Sequence, residues 1–170
     1  MPPTYVTRIL LKIGYVFLHV QATEKAVKLV MQIAMPCEQD LFASLTERLV
    51  AKERQRPLGP FLHELRSRAT LHVDIDELLS RFLLNRNRFV HNILKVEGWS
   101  LKTEAGCGAA SRFLNELLAD SMEVRNIFIG LLHSWKVQSG LDTTEEEDRA
   151  FVEMEKYEGP ILSRKWGKGA

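Results

Sequence analysis

Residues 75–93 read IDELLSRFLLNRNRFVHNI, and this stretch decides the class of fold. Ile75, Leu78, Leu79, Phe82, Leu83, Phe89, Val90 and Ile93 recur at intervals of three and four, the spacing that puts side chains on one face of an α-helix. Asp74 or Asp76 is placed to cap the helix, with acidic residues in its first turn where the helix dipole favours them, and Gly98 marks its end. Inside this packing helix sits RNRFVH, residues 86–91, with two arginines, an asparagine and a histidine. Either the segment is a solvated rim of a buried helix or these groups do chemistry.

The same periodicity continues on both sides. From Thr7 to about Met35 the apolar residues Ile9, Leu10, Ile13, Val16, Phe17, Val20, Val27, Leu29, Val30 and Ile33 predict one long helix, or two with a break near Gln21 to Thr23. Pro36 closes it. A second helix is expected from Glu38 to Arg54 on Leu41, Phe42, Leu45, Leu49 and Val50, ended by Pro57, Gly59 and Pro60. LGPFLHELRSR then gives a short helix and a loop. Beyond the central helix, WSLKTEAGCGAAS is expected to be a loop leading into a helix from Ser111 to Trp135, and Gly140 marks a linker. TTEEEDRAFVEMEKY offers a last helix with a capping-box start at Thr143 or Thr144, and the tail GPILSRKWGKGA looks loose and basic. With no strand alternation and no repeat, the expected fold is all-α, an antiparallel bundle of about five helices over 1–139 followed by an acidic C-terminal helix and basic tail over 140–170.

Composition narrows the class of protein. A chain of 170 residues, 45% apolar, 26% charged and with a formal net charge of +1, can fold on one hydrophobic core. Its two cysteines, Cys37 and Cys107, have neither the spacing of a disulfide framework nor a histidine cluster for zinc, so no metal or cofactor is expected and a reducing cytoplasm is the simplest location. The run ILLKIGYVFLHV, residues 9–20, is too short and too polar to span a bilayer, because Lys12 and His19 interrupt it. Charge is uneven: residues 48–95 hold ten Lys/Arg against five Asp/Glu, and residues 96–158 hold six against thirteen. The basic middle suits an anionic partner such as RNA, and equally a solvated helix face.

Helical geometry sharpens RNRFVH. Asn87 and His91 stand one turn apart on one face, whereas Arg86 and His91 are roughly 140° apart around the axis and about 7.5 Å apart along it. Imidazole gives and takes protons near neutral pH, and guanidinium holds phosphate oxygens with a fixed fork of donors. That pairing suits cleavage of a phosphodiester by its neighbouring 2′-hydroxyl, which needs acid-base help and charge stabilisation but no metal. A two-fold axis would bring Arg and His of different copies together. Arg48, Lys52, Arg54, Arg56, Arg66, Arg68 and Arg88 could follow an RNA backbone nearby, supplying affinity rather than sequence choice. His63, His72 and His133 lack ligand spacing and read as surface or core histidines; Trp99, Trp135 and Phe128 read as core or interface aromatics, and the acidic EEEDRAFVEME as a solvated helix face.

Arg, Asn directly after it, three residues and then His, late in a helix of an all-helical chain, resembles the signature of the HEPN superfamily (higher eukaryotes and prokaryotes nucleotide-binding). The likeness extends loosely to the upstream LGPFLHEL and to the helix order over residues 7–135. It implies a homodimer of four- or five-helix bundles whose motifs line a cleft, and in many members a metal-independent endoribonuclease of toxin, antiphage or RNA-processing systems; others only bind RNA, nucleotides or a protein such as an antitoxin. By motif position Arg86 would stabilise the phosphate, Asn87 would orient or assist, and His91 would serve in acid-base chemistry, with Arg88, Phe89 and Val90 as variable interior. One departure is Ile93, standing where toxins paired with nucleotidyltransferase antitoxins often carry Tyr, so regulation by modifying that Tyr is not expected here.

Overall fold

The computed structural model describes residues 4–34, 58–157 and 162–164. Five α-helices account for most of them: α1 Thr4–Ala34, α2 Leu58–Arg68, α3 Val73–Asn92, α4 Glu104–Gln138 and α5 Glu145–Met154, with a single 3-10 turn, Ile93–Lys95, after α3. The fold is an all-α helical bundle. The helix expected over Glu38–Arg54 lies outside the described residues.

The chain divides into two compact units, and α1, α3 and α4 each contribute residues to both. The first unit comprises residues 1–23 and 78–124. Its core is built from Ile9, Val16 and Val20 of α1, Leu78, Leu79, Phe82 and Phe89 of α3, and Phe113, Leu114, Leu117 and Val124 of α4, all buried. Burying each such side chain stabilises the unit by roughly 1.5–3 kcal/mol before entropy is subtracted. Lys12 Nζ donates to Ser111 Oγ at 2.9 Å, and Thr23 Oγ1 meets Ser121 Oγ at 2.9 Å and donates to the Ser121 carbonyl at 3.0 Å. Contacts that advance together along both chains show that α1 and α4 run parallel here. Arg81 grips the buried Asp120 with Nε and Nη2, the Nη2–Oδ1 distance being 2.7 Å, and joins α3 to α4 as an antiparallel hairpin.

Thr23 explains why α1 does not break near Gln21. Its hydroxyl is buried, yet Ser121 satisfies it, so a polar residue occupies the apolar stripe without interrupting it. Leu10, Phe17 and Leu29, expected with the packing face, are instead exposed.

The second unit comprises residues 24–77 and 125–170. Val27, Val30 and Met31, Leu58, Leu62 and Leu65, Ile75, Ile127, Phe128, Ala150 and Met154 form its core. LGPFLHELRSR is helical throughout: Gly59 and Pro60 fall in the first turn of α2, where proline's missing N–H costs nothing. Before α3 the cap is neither Asp74 nor Asp76. His72 precedes the helix, its Nδ1 accepts from the Asp74 N–H at 3.3 Å and its carbonyl from Ile75 and Asp76, while both aspartates sit in the first turn. Ala69–Leu71 pairs antiparallel with Leu162–Arg164, Leu71 opposite Leu162. Three-residue strands are too short to show a period of two, and so the tail that reads as loose carries one of them.

Two helix ends correct the sequence reading. α4 begins at Glu104, seven residues before Ser111, because Thr103 caps it: its hydroxyl accepts from the Gly106 N–H at 3.1 Å and its carbonyl from Cys107. A side chain at Gly106 would meet the Ser100 backbone oxygen at 2.6 Å, so the glycine lets the preceding loop fold onto the helix. At its other end α4 closes on Gly140, φ +69°, with Leu141 N–H donating to the Lys136 carbonyl and Gly140 N–H to that of Val137, a Schellman arrangement rather than a linker.

Candidate functional site

RNRFVH occupies the last two turns of α3. Phe89 points into the core of the first unit, and one turn earlier Asn85 and Phe82 are also buried. This fixes the helix rotation. Asn87, Arg88 and His91 are exposed on the side away from Phe89, and Arg86 is half-buried at the border between the two sides. Val90 is exposed, beyond the edge of the packing stripe to which its apolar character had assigned it, since one residue advances the helix by about 100°.

Arg86 does not remain on its own flank. Its Nη1 donates to Asn87 Oδ1 at 3.1 Å. Asn87 in turn lies one turn before His91 on the same face. The guanidinium thus reaches the carboxamide of Asn87, on the exposed face that also carries His91, although the Arg and His backbones lie on different sides of the helix. A fork of N–H donors held by an amide oxygen, beside an accessible imidazole, can bind an anionic oxygen and exchange a proton with a bound hydroxyl.

Two leucines frame these groups. Leu84 is 52% exposed and Leu94, in the 3-10 turn, 79%. Leu84, Asn87 and His91 are exposed at helical spacings of three and four on α3, whereas Leu94 follows Asn92, whose φ of -142° and ψ of 31° leave the α-helical course. Sequence reasoning missed the leucines because a periodicity that places apolar residues on a core gives no reason to expect them outside. Leu84 carried a signal in its spacing, three before Asn87.

Of the basic residues proposed to follow RNA, Arg88 is exposed beside the motif. Arg48, Lys52, Arg54 and Arg56 lie outside the described residues. Arg66 is held by Asp76, with Nε 2.5 Å from Oδ1 and Nη2 donating to the Asp76 carbonyl, so it serves to join α2 to the start of α3. Among the described residues no group of three or more His, Cys, Asp or Glu could hold a metal ion.

The other polar features serve the framework. His63 is exposed, and His133 stacks on Phe151 at 4.5 Å with Nε2 3.2 Å from Asp148. The acidic helix α5 is more than a solvated face. Glu146 pairs with Arg125, Glu153 accepts from the Asn126 side chain, and the buried Glu147 lies 2.7 Å from Lys136. Burial raises the Glu147 carboxyl, but its bonds to Lys136 and Thr144 and the Lys136 charge outweigh burial and hold it below the ordinary carboxylate value. Phe128 is a core aromatic, and Trp99 packs edge-on against Phe113 at 6.2 Å. No family model, curated protein or solved structure matches this chain.

Proposed function

We propose that the protein is a metal-independent endoribonuclease of the HEPN type, acting as a homodimer with Arg86, Asn87 and His91 at the dimer cleft. The observation that carries this reading is the exposure of Asn87 and His91 one turn apart on one face of α3, with the Arg86 side chain bonded to Asn87. Two copies of α3 laid antiparallel about the level of Phe89 bring Asn87 opposite the partner's His91, a self-complementary pairing of the kind an isologous interface has.

In such a cleft the 2′-hydroxyl oxygen of RNA attacks the adjacent phosphorus and the bond from phosphorus to the 5′ oxygen breaks, leaving a 2′,3′-cyclic phosphate and a 5′-hydroxyl. One imidazole accepts the 2′-hydroxyl proton and the other protonates the departing 5′ oxygen, which two copies of His91 provide. Arg86 stabilises the charge that builds on the non-bridging oxygens, and Asn87 holds its fork in place. Arg88, with Arg48, Lys52, Arg54 and Arg56, adds affinity for the backbone. Toxin or antiphage activity, a cytoplasmic location and restraint by an antitoxin or other protein partner belong to the same reading.

A second reading, a module that binds RNA, a nucleotide or a protein without turnover, is favoured by the apolar exposure of Leu84, Val90 and Leu94, which a docking surface also requires. Cleavage of a mixed RNA in EDTA separates the two. The nuclease reading expects cyclic-phosphate ends from the wild type and at least a hundredfold slower cleavage by His91→Ala and Arg86→Ala. Equal cleavage by both variants removes it, and salt-dependent binding without cleavage leaves the binding module.

A further inference from the structure

A second exposed apolar surface lies on the first half of α1. Leu10, Leu11, Phe17 and Leu18 are 51%, 70%, 43% and 65% exposed, and Tyr15 is exposed beside them. These four are the residues three and four before and after Gly14, the immediate neighbours of that position on a helix surface. Gly14 is therefore the floor of an apolar saucer, and a Cβ built there meets nothing within 4 Å.

Glycine in a helix interior loses stability relative to alanine, and none of the described residues crowds the position. Backbone left bare at the centre of an apolar ring is what the close crossing of another helix requires. The ring also maps onto itself under a half-turn about Gly14, since positions three and four before exchange with positions three and four after. Its charge is compatible with self-pairing as well: Lys12 is half-buried against Ser111, and Arg8 stands at the edge. Five such side chains present on the order of 500 Å², and the flanking Thr7, Arg8, Gln21 and Ala22 bring a helix pair toward the ~800 Å² per partner of a stable interface.

We infer that this face of α1 is an isologous contact between two copies of the chain, with the helices crossing at Gly14. It is separate from the exposed face of α3 and does not depend on the nuclease reading.

The test uses the full chain with Cys37→Ser and Cys107→Ala, carrying a single cysteine either at Gly14 or at Glu116 on the exposed side of α4. Under mild oxidation, Gly14→Cys is expected to give a covalent dimer at least tenfold faster than Glu116→Cys, and Leu11→Glu with Leu18→Glu is expected to remove that advantage while far-UV circular dichroism stays unchanged. Gly14→Leu, with a side chain larger than the cysteine of the cross-linking variant, is expected to retain the helix and weaken self-association about tenfold by sedimentation. Cross-linking at 14 no faster than at 116 overturns the inference, as does binding to phosphatidylcholine vesicles that the two Glu substitutions abolish when no cross-link forms.

Discussion

In the proposed nuclease Arg86 and Asn87 have different roles, and the hydrogen bond between them links the two. If Asn87 orients the guanidinium, Asn87→Ala leaves charge and proton transfer intact and releases only the fork. We predict that Asn87→Ala lowers kcat by about tenfold, less than Arg86→Ala, and that Arg86→Lys does not rescue, because an ammonium lacks the planar pair of donors. Single-turnover cleavage at saturating protein is the measurement, and equal losses for Asn87→Ala and Arg86→Ala would contradict the division of labour. A second residue-scale prediction concerns Thr23, whose buried hydroxyl is bonded to Ser121. Thr23→Val strands the Ser121 hydroxyl and is expected to cost about 1–3 kcal/mol in urea denaturation, with Ser121→Ala on top costing little more. Full additivity of the two substitutions would show that the hydroxyls do not act as a pair.

At the scale of elements, the helix ends carry much of what the sequence conceals. The capping box was readable to within one residue, since Thr143 and Thr144 are each followed three residues later by Glu, and both reciprocal bonds form at Thr144. Thr144→Ala is expected to lower stability by about 1 kcal/mol in thermal or urea melts. His72 and Thr103 were harder to read as caps: histidine is a rare one, and the glycines after Thr103 suggest a turn until Ser100 is seen lying against Gly106. Glu147 gives α5 a pH dependence of definite sign. Its folded carboxyl titrates below the ordinary value of 4.5, so its contribution is present above that value and is lost as pH falls through the lower folded one. Glu147→Gln should therefore be less stable than wild type at pH 7, with the gap closing as pH drops below 4.5. A gap independent of pH would mean that the charge of Glu147 does not hold α5 on α4.

Across the whole molecule, helical class followed directly from residues spaced three and four apart, and the structure has the expected all-α bundle. The periodicity did not place the exposed faces. Leu10, Phe17, Leu84 and Val90 satisfy the same pattern as the core residues beside them, because a pattern in one chain marks apolar faces without saying whether this chain or another copy covers them. The residue types of RNRFVH were legible, and the exposure of Asn87, Arg88 and His91 away from Phe89 follows once that phenylalanine is in the core. The reach of Arg86 to Asn87 was not, because a long side chain has several rotamers on a helix surface and spacing does not choose among them.

The central claim is that His91 is one of the groups that moves a proton during cleavage of RNA. The most direct measurement is the rate of cleavage of a single-stranded RNA in EDTA by wild type and His91→Ala purified side by side, with matched circular dichroism spectra and the product ends identified. The account predicts 2′,3′-cyclic phosphate ends from the wild type and a loss of at least a hundredfold in His91→Ala, with RNA affinity within a few fold of wild type. Cleavage by His91→Ala at the wild-type rate, or no cleavage by either protein, would contradict it.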